Sequence, residues 1–136
     1  MPDLGGTWHL VGWEIETEGR VTHPFGESPT GMICYTEDGF MSACIARADR
    51  PRWSTGNPRK APDAERIAAF ESYFHYAGTW RIEERAGIPH VVHAVTHSLN
   101  PDFPGTEQVR RIDLEGGALT LSAQEGPRHH RLRWRR

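Results

Sequence analysis

The sequence predicts an all-β fold: an eight-stranded, up-and-down antiparallel barrel with one helix inserted between strands three and four. A single domain spans residues 1–136. Three observations lead there. Strand-like runs recur along the chain, separated by short glycine-containing turns such as Glu115-Gly116-Gly117-Ala118 and Glu125-Gly126-Pro127-Arg128. One segment alone has clear helical spacing. A chain of 136 residues suits one core, and closing eight strands into a barrel removes the sheet edges that would otherwise pair between molecules.

Taken in order, Thr7–Glu16 (TWHLVGWEIE) reads as the first strand, followed by a loop containing Pro24 and Pro29. Gly31–Ala46 reads as a hairpin with Asp38-Gly39 in its turn. Either Glu37 or Thr36 pairs with Phe40, and the second register sets Cys44 opposite Met32. Neither register sets Cys34 opposite Cys44, so both thiols are expected to be free, which suits a cytoplasmic protein. Residues 47–61 are polar and rich in turn formers. Pro62–Gly78 reads as the helix, with Pro62 in its first turn, an apolar stripe of Ile67, Phe70, Phe74 and Ala77, and Gly78 as its stop. Strands follow at 79–84, 89–99, 107–114, 118–123 and 128–135. In the last, His130, Leu132 and Trp134 alternate with Arg131, Arg133 and Arg135.

Alternation assigns side chains to the two sheet faces. Val91, His93, Val95, His97 and Leu99 form the more apolar face of their strand and are expected inside. The same reasoning turns Gln108, Arg110, Ile112 and Leu114 inward, and Ile33 and Tyr35 share a face. The first strand offers two competing faces, Trp8/Leu10/Gly12/Glu14 and Val11/Trp13/Ile15. An outward Val11/Trp13/Ile15 face would serve a homodimer or helix packing. His93 and His97 would sit ~13 Å apart on one strand, too far to share a metal ion. No metal-ligand spacing, nucleophile elbow or phosphate-binding loop occurs.

Gly6-Thr7-Trp8 is the Gly-x-Trp signature of lipocalins. GTWHLVGWE, HPFGESPTGMICYTEDGFMSA, FESYFHYAGTW and NPDFPGTEQVRRIDLEGGALTL resemble the bacterial and fungal lipocalin-like domain family, in the expected order over most of the chain. The resemblance implies a lipocalin-like barrel and a pocket for a small hydrophobic molecule. Some members resemble enzymes of natural-product pathways that isomerise, cyclise or dehydrate. His97 stands where the family pattern has an aliphatic residue.

Two functions follow. The first is a cofactor-independent isomerase, cyclase or dehydratase of secondary metabolism, acting on a polyketide-like or aromatic substrate. His93 or His97 would move a proton, and Arg110 and Tyr35 would stabilise oxyanion charge. Glu14, Gln108, Tyr73, Tyr76, Ile33 and Val95 would line the ligand, with Tyr73 and Tyr76 reaching it from the helix as a lid. The alternative is a non-catalytic carrier or sequestering protein. A haem-binding barrel with one axial histidine is a third reading, which the resemblance lowers. Trp8 is expected to plug one barrel end under a C-terminal arginine. The basic tail from Arg128 reads as a solvated strand face, without the stacking aromatics of a nucleic-acid site. No apolar run approaches the ~18 residues of a membrane helix.

Overall fold

The structure is a computed structural model describing residues 1–136. Nine strands are present: β1 (Gly6–Thr17), β2 (Arg20–Thr22), β3 (Thr30–Tyr35), β4 (Phe40–Ala46), β5 (Tyr73–Arg85), β6 (Ile88–Ser98), β7 (Glu107–Glu115), β8 (Ala118–Glu125) and β9 (Arg128–Arg135). Neighbours pair antiparallel in the order β2-β1-β3-β4-β5-β6-β7-β8-β9. β1 also pairs with β9, which closes eight strands into a barrel. The ninth, β2, is a three-residue strand clipped to the end of β1. Helix α1 (Asp63–Glu71) follows β4. With β2 counted, it lies between β4 and β5 instead of between strands three and four.

The helix is shorter than its sequence pattern. Residues 73–85 are the long strand β5, hydrogen-bonded to β4 on one side and β6 on the other. Phe74, Tyr76 and Gly78 fit a period of two as well as Phe70, Phe74 and Ala77 fit the helical one. Aromatic residues suit a pleated, half-buried surface, and two ladders of backbone bonds decide the matter. Ser72 marks the break: its carbonyl accepts from Arg47 N (3.0 Å) and its Oγ from Arg50 Nε (3.0 Å). What remains of the helix stripe is not core, because Ile67 and Phe70 are each 57 % exposed.

The β3–β4 hairpin adopts the Thr36/Phe40 register. Tyr35 pairs with Met41 and Met32 with Cys44, and both cysteines are free. One barrel end is closed as expected. Trp8 is fully buried, its Nε1 donates to the Leu4 carbonyl (2.9 Å), and the Arg136 guanidinium lies 4.2 Å over its ring.

Two β-bulges interrupt strict alternation. On β1 the ladder to β9 skips Val11: Leu10 pairs with Trp134 and Gly12 with Arg133. Trp8 and Leu10 therefore face inward before the bulge, and Trp13 and Ile15 after it. Half of each competing face of the sequence thus contributes to one interior, and Val11 and Glu14 remain outside. The outward Val11/Trp13/Ile15 face, with the homodimer surface argued from it, does not form.

On β6 the extra residue is Thr96: Ala77 pairs with His97, and Gly78 with Val95. The strands approach so closely there that a Cβ on Gly78 would overlap the Ala94 carbonyl oxygen and lie 2.9 Å from its carbon. Gly78 is thus a bulge glycine inside a strand, not a helix stop.

Gly78→Ala should destabilise the fold by about 3 kcal/mol, since backbone atoms must move to admit the methyl group. At Gly12 the added Cβ meets only the far end of the long Arg133 side chain, at 3.3 Å, and Gly12→Ala should cost less than about 1 kcal/mol. Urea unfolding of both variants checks the contrast.

Candidate functional site

β3, β5 and β6 each turn one polar side chain into the barrel, and the three meet. Tyr35 Oη lies 2.7 Å from His93 Nε2, and Tyr76 Oη 2.7 Å from His93 Nδ1. His93 is 1 % exposed and both tyrosines are buried. The protons can be counted. A neutral imidazole has one N–H and one bare nitrogen. The N–H donates to one tyrosine oxygen, and the bare nitrogen accepts from the other tyrosine. In either tautomer, one tyrosine keeps an O–H that no protein acceptor takes.

The cluster is electrically neutral. Burial, with help from the Arg110 charge, lowers His93 from 6.5 to about 3. Burial also holds Tyr35 well above the usual tyrosine range, helped by Tyr76 and opposed by Arg110. Tyr76 is raised by burial against the same opposition. An imidazolium or a tyrosinate is therefore disfavoured near neutral pH. Aromatic rings surround the cluster: Trp80 is 4.9 Å from Tyr35, and Phe103 is 6.1 Å from Tyr76, centroid to centroid.

Beside it the barrel wall opens. The β7–β8 ladder stops at Arg111↔Ser122, while β6–β7 pairing continues to Glu107 and β8–β9 pairing to Glu125. The splayed strands leave a cavity of about 520 Å³, lined by Gln108, Arg110, Ala123, Gln124 and His130 among others. That volume is in the range of small-molecule sites. Its wall is mainly polar, with Val109 and Ala123 the apolar members. Gln108 sits directly opposite His93 in the β6–β7 ladder, so the cavity wall is one cross-strand neighbour from the cluster. Arg110 stands on the same inward face. It forms no ion pair, and its one side-chain hydrogen bond goes to the Val109 carbonyl (2.9 Å).

The structure gathers Tyr35, His93, Gln108, Arg110, Ile33 and Val95 on the inner face, as alternation predicts, and Tyr76 joins them from strand β5 instead of from a helical lid. Three expected site residues lie elsewhere. His97 is exposed, because the Thr96 bulge rotates it outward, and its Nδ1 is 3.0 Å from Thr96 Oγ1. Glu14 faces out after the Val11 bulge. It accepts from Arg131 Nε and Arg133 Nη1, both at 3.0 Å, and these contacts hold its carboxyl below the usual range. Tyr73 opens β5 on the outer face, opposite Ala46 and under Arg50 at 5.1 Å.

Of the cavity residues, sequence reasoning named Gln108 and Arg110; among those it missed is His130, whose alternation with Leu132 and Trp134 does mark the inner face. The basic residues around it draw the eye to a solvated tail. No three His, Cys, Asp or Glu side chains converge as a metal site. No helix is long and apolar enough to cross a membrane.

The buried imidazole makes stability depend on pH. Unfolded, it protonates near 6.5; folded, it stays neutral down to about 3. Between these values the unfolded chain binds the extra proton. The contribution is therefore complete above pH 6.5 and falls by about 1 kcal/mol per unit as pH drops toward 3. Urea unfolding at pH 7 and pH 4.5 should show this loss, and His93→Gln should remove that component. Side-chain ¹⁵N spectra should keep one protonated and one bare His93 nitrogen from pH 8 to 5.

Comparison with known proteins agrees with this architecture. A 4'-hydroxy-3'-methoxypropiophenone carrier protein of Aspergillus oryzae is 29 % identical over 86 residues, 60 % of this chain and 78 % of that protein. Residues 5–136 match the lipocalin-like domain family. The match runs from the Gly-x-Trp strand to the last residue of the barrel, and the chain belongs to that family.

Proposed function

We propose that this chain is a carrier that binds a small aromatic molecule in the barrel through one of its oxygen atoms and releases it unchanged. The observation that carries this reading is the neutral Tyr35–His93–Tyr76 cluster with one hydroxyl proton left over. Three buried polar side chains cost stability relative to an apolar core. A ligand carbonyl or phenol oxygen would take the spare proton and complete the network. Rings at Trp80 and Phe103 would flank an aromatic body. The cargo named for the Aspergillus oryzae relative joins a phenol, a methoxy group and a ketone, which suits such a pocket. The two free thiols fit a reducing cytoplasm.

The same cluster supports a second reading, an isomerase. Neutral groups can relay protons without forming ions. One tyrosine would give its proton to a ligand carbonyl while the other tyrosine's oxygen takes the α-proton of the ligand. Between them, His93 would accept on one nitrogen and donate from the other, and its tautomer would change. Against simple acid–base catalysis stands the position of His93 near 3, far from the operating pH of a general acid.

Titration with 4'-hydroxy-3'-methoxypropiophenone, followed by tryptophan fluorescence and native mass spectrometry, tests the carrier. Micromolar binding with the ketone recovered intact is expected. Tyr35→Phe should weaken binding about tenfold, roughly one charge-free hydrogen bond. Glu14→Gln should leave affinity unchanged. Incubation in D₂O separates the readings: a carrier leaves the hydrogens α to the ketone unexchanged, whereas a proton relay exchanges them for deuterium.

A further inference from the structure

His130 has a fixed tautomer. Trp13 Nε1 lies 3.3 Å from His130 Nδ1. An indole N–H can only donate, so Nδ1 accepts and the proton of the neutral ring sits on Nε2. The Trp13 ring stacks at 23° to the imidazole, centroids 6.2 Å apart, and Phe25 packs edge-on against Trp13 at 5.1 Å. The ring is thereby held in place. Yet buried Nε2–H has no hydrogen-bond acceptor. The Glu125 carboxylate stands 4.0 Å away, beyond hydrogen-bond distance, on a side chain 72 % exposed.

His130 and Arg110 line the same slit between β7 and β8. Arg110 has no carboxylate partner either. The two acidic residues of the wall are both drawn to other arginines: Glu107 to Arg81 at 2.9 Å and Glu125 to Arg128 at 3.8 Å. Arg85 is held by Glu83 at 3.2 Å, and Arg111 adds a further positive charge. The slit thus presents an unpaired guanidinium and an unspent N–H donor, with a loosely held carboxylate over that donor. Glu125 shows the kind of group the position attracts, and an exposed side chain is easily displaced.

We infer that the slit is an anion seat, in which Arg110 and the Nε2–H of His130 hold a carboxylate or phenolate on a small aromatic ligand. This rests on the carrier reading and names the charge class of its cargo. Arg110 supplies the charge-assisted hydrogen bond, and His130, set by Trp13, is the specificity residue. A neutral ketone anchors at the tyrosines; an acid anchors at the slit as well.

The test compares two probes of similar size, 4-hydroxy-3-methoxybenzoate and 4'-hydroxy-3'-methoxypropiophenone, by calorimetric titration. The benzoate should bind, and His130→Phe and Arg110→Gln should each weaken it tenfold or more. His130→Gln, which restores an N–H donor, should recover much of the loss. The neutral ketone should bind His130→Phe within twofold of the parent. Thermal melts confirm that each variant folds. In ¹⁵N spectra, the His130 Nε2–H signal should move on adding benzoate. Ketone binding without benzoate binding, or benzoate binding indifferent to His130→Phe, overturns the anion seat and leaves the carrier intact. Failure of both probes on the parent protein overturns both.

Discussion

At Gly78 the backbones of β5 and β6 come so close that the Ala94 carbonyl takes the place of a side chain, and the orientation of the inner wall depends on this contact. The Thr96 bulge that it accommodates reverses the alternation of β6. Val91, His93 and Val95 stay inside, and His97 and Leu99 turn to solvent. One extra residue thereby decides which histidine meets the tyrosines. The Val11 bulge does the same for β1, gathering Trp8, Leu10, Trp13 and Ile15 on one side and sending Glu14 to Arg131 and Arg133. Bulges that re-aim side chains are a recurring device beside binding sites.

The interior so assembled is polar in a particular way. Its histidine and tyrosines bond one another, leave one hydroxyl proton over and stay uncharged, because burial penalises every ionised form. The one interior cation, Arg110, stands where the wall opens, so its guanidinium is not sealed from water. A folding core has no need of such a set: apolar side chains of equal volume would fill the space at lower cost. The arrangement makes physical sense as a socket for a molecule with an apolar body and an oxygen atom.

Much of this was legible in the residues, and the failures have definite causes. Period-two patterns located the eight barrel strands and the inward sides of Ile33, Tyr35, His93, Val95, Gln108 and Arg110. Trp8 and its stacked arginine followed from position and chemistry. Alternation cannot reveal a bulge, since one inserted residue inverts every later assignment; His97 and Glu14 were misplaced for that reason. The stretch from Tyr73 to Gly78 satisfies both a helical and a strand period, and only its two partner strands separate them. Tyr73 and Tyr76 then fall on opposite faces of β5 instead of lying together on a lid. The Tyr–His–Tyr contact joins three strands far apart in sequence, and no local pattern signals it.

The most direct test of the account is a crystal structure of the protein soaked with 4'-hydroxy-3'-methoxypropiophenone. The account predicts the ligand inside the barrel, with an oxygen atom within hydrogen-bonding distance of Tyr35 or Tyr76 and its ring against Trp80 or Phe103. The outer cleft between Trp53 and α1 offers a comparable volume of about 540 Å³. A ligand seated there, with the Tyr35–His93–Tyr76 cluster untouched, would contradict it.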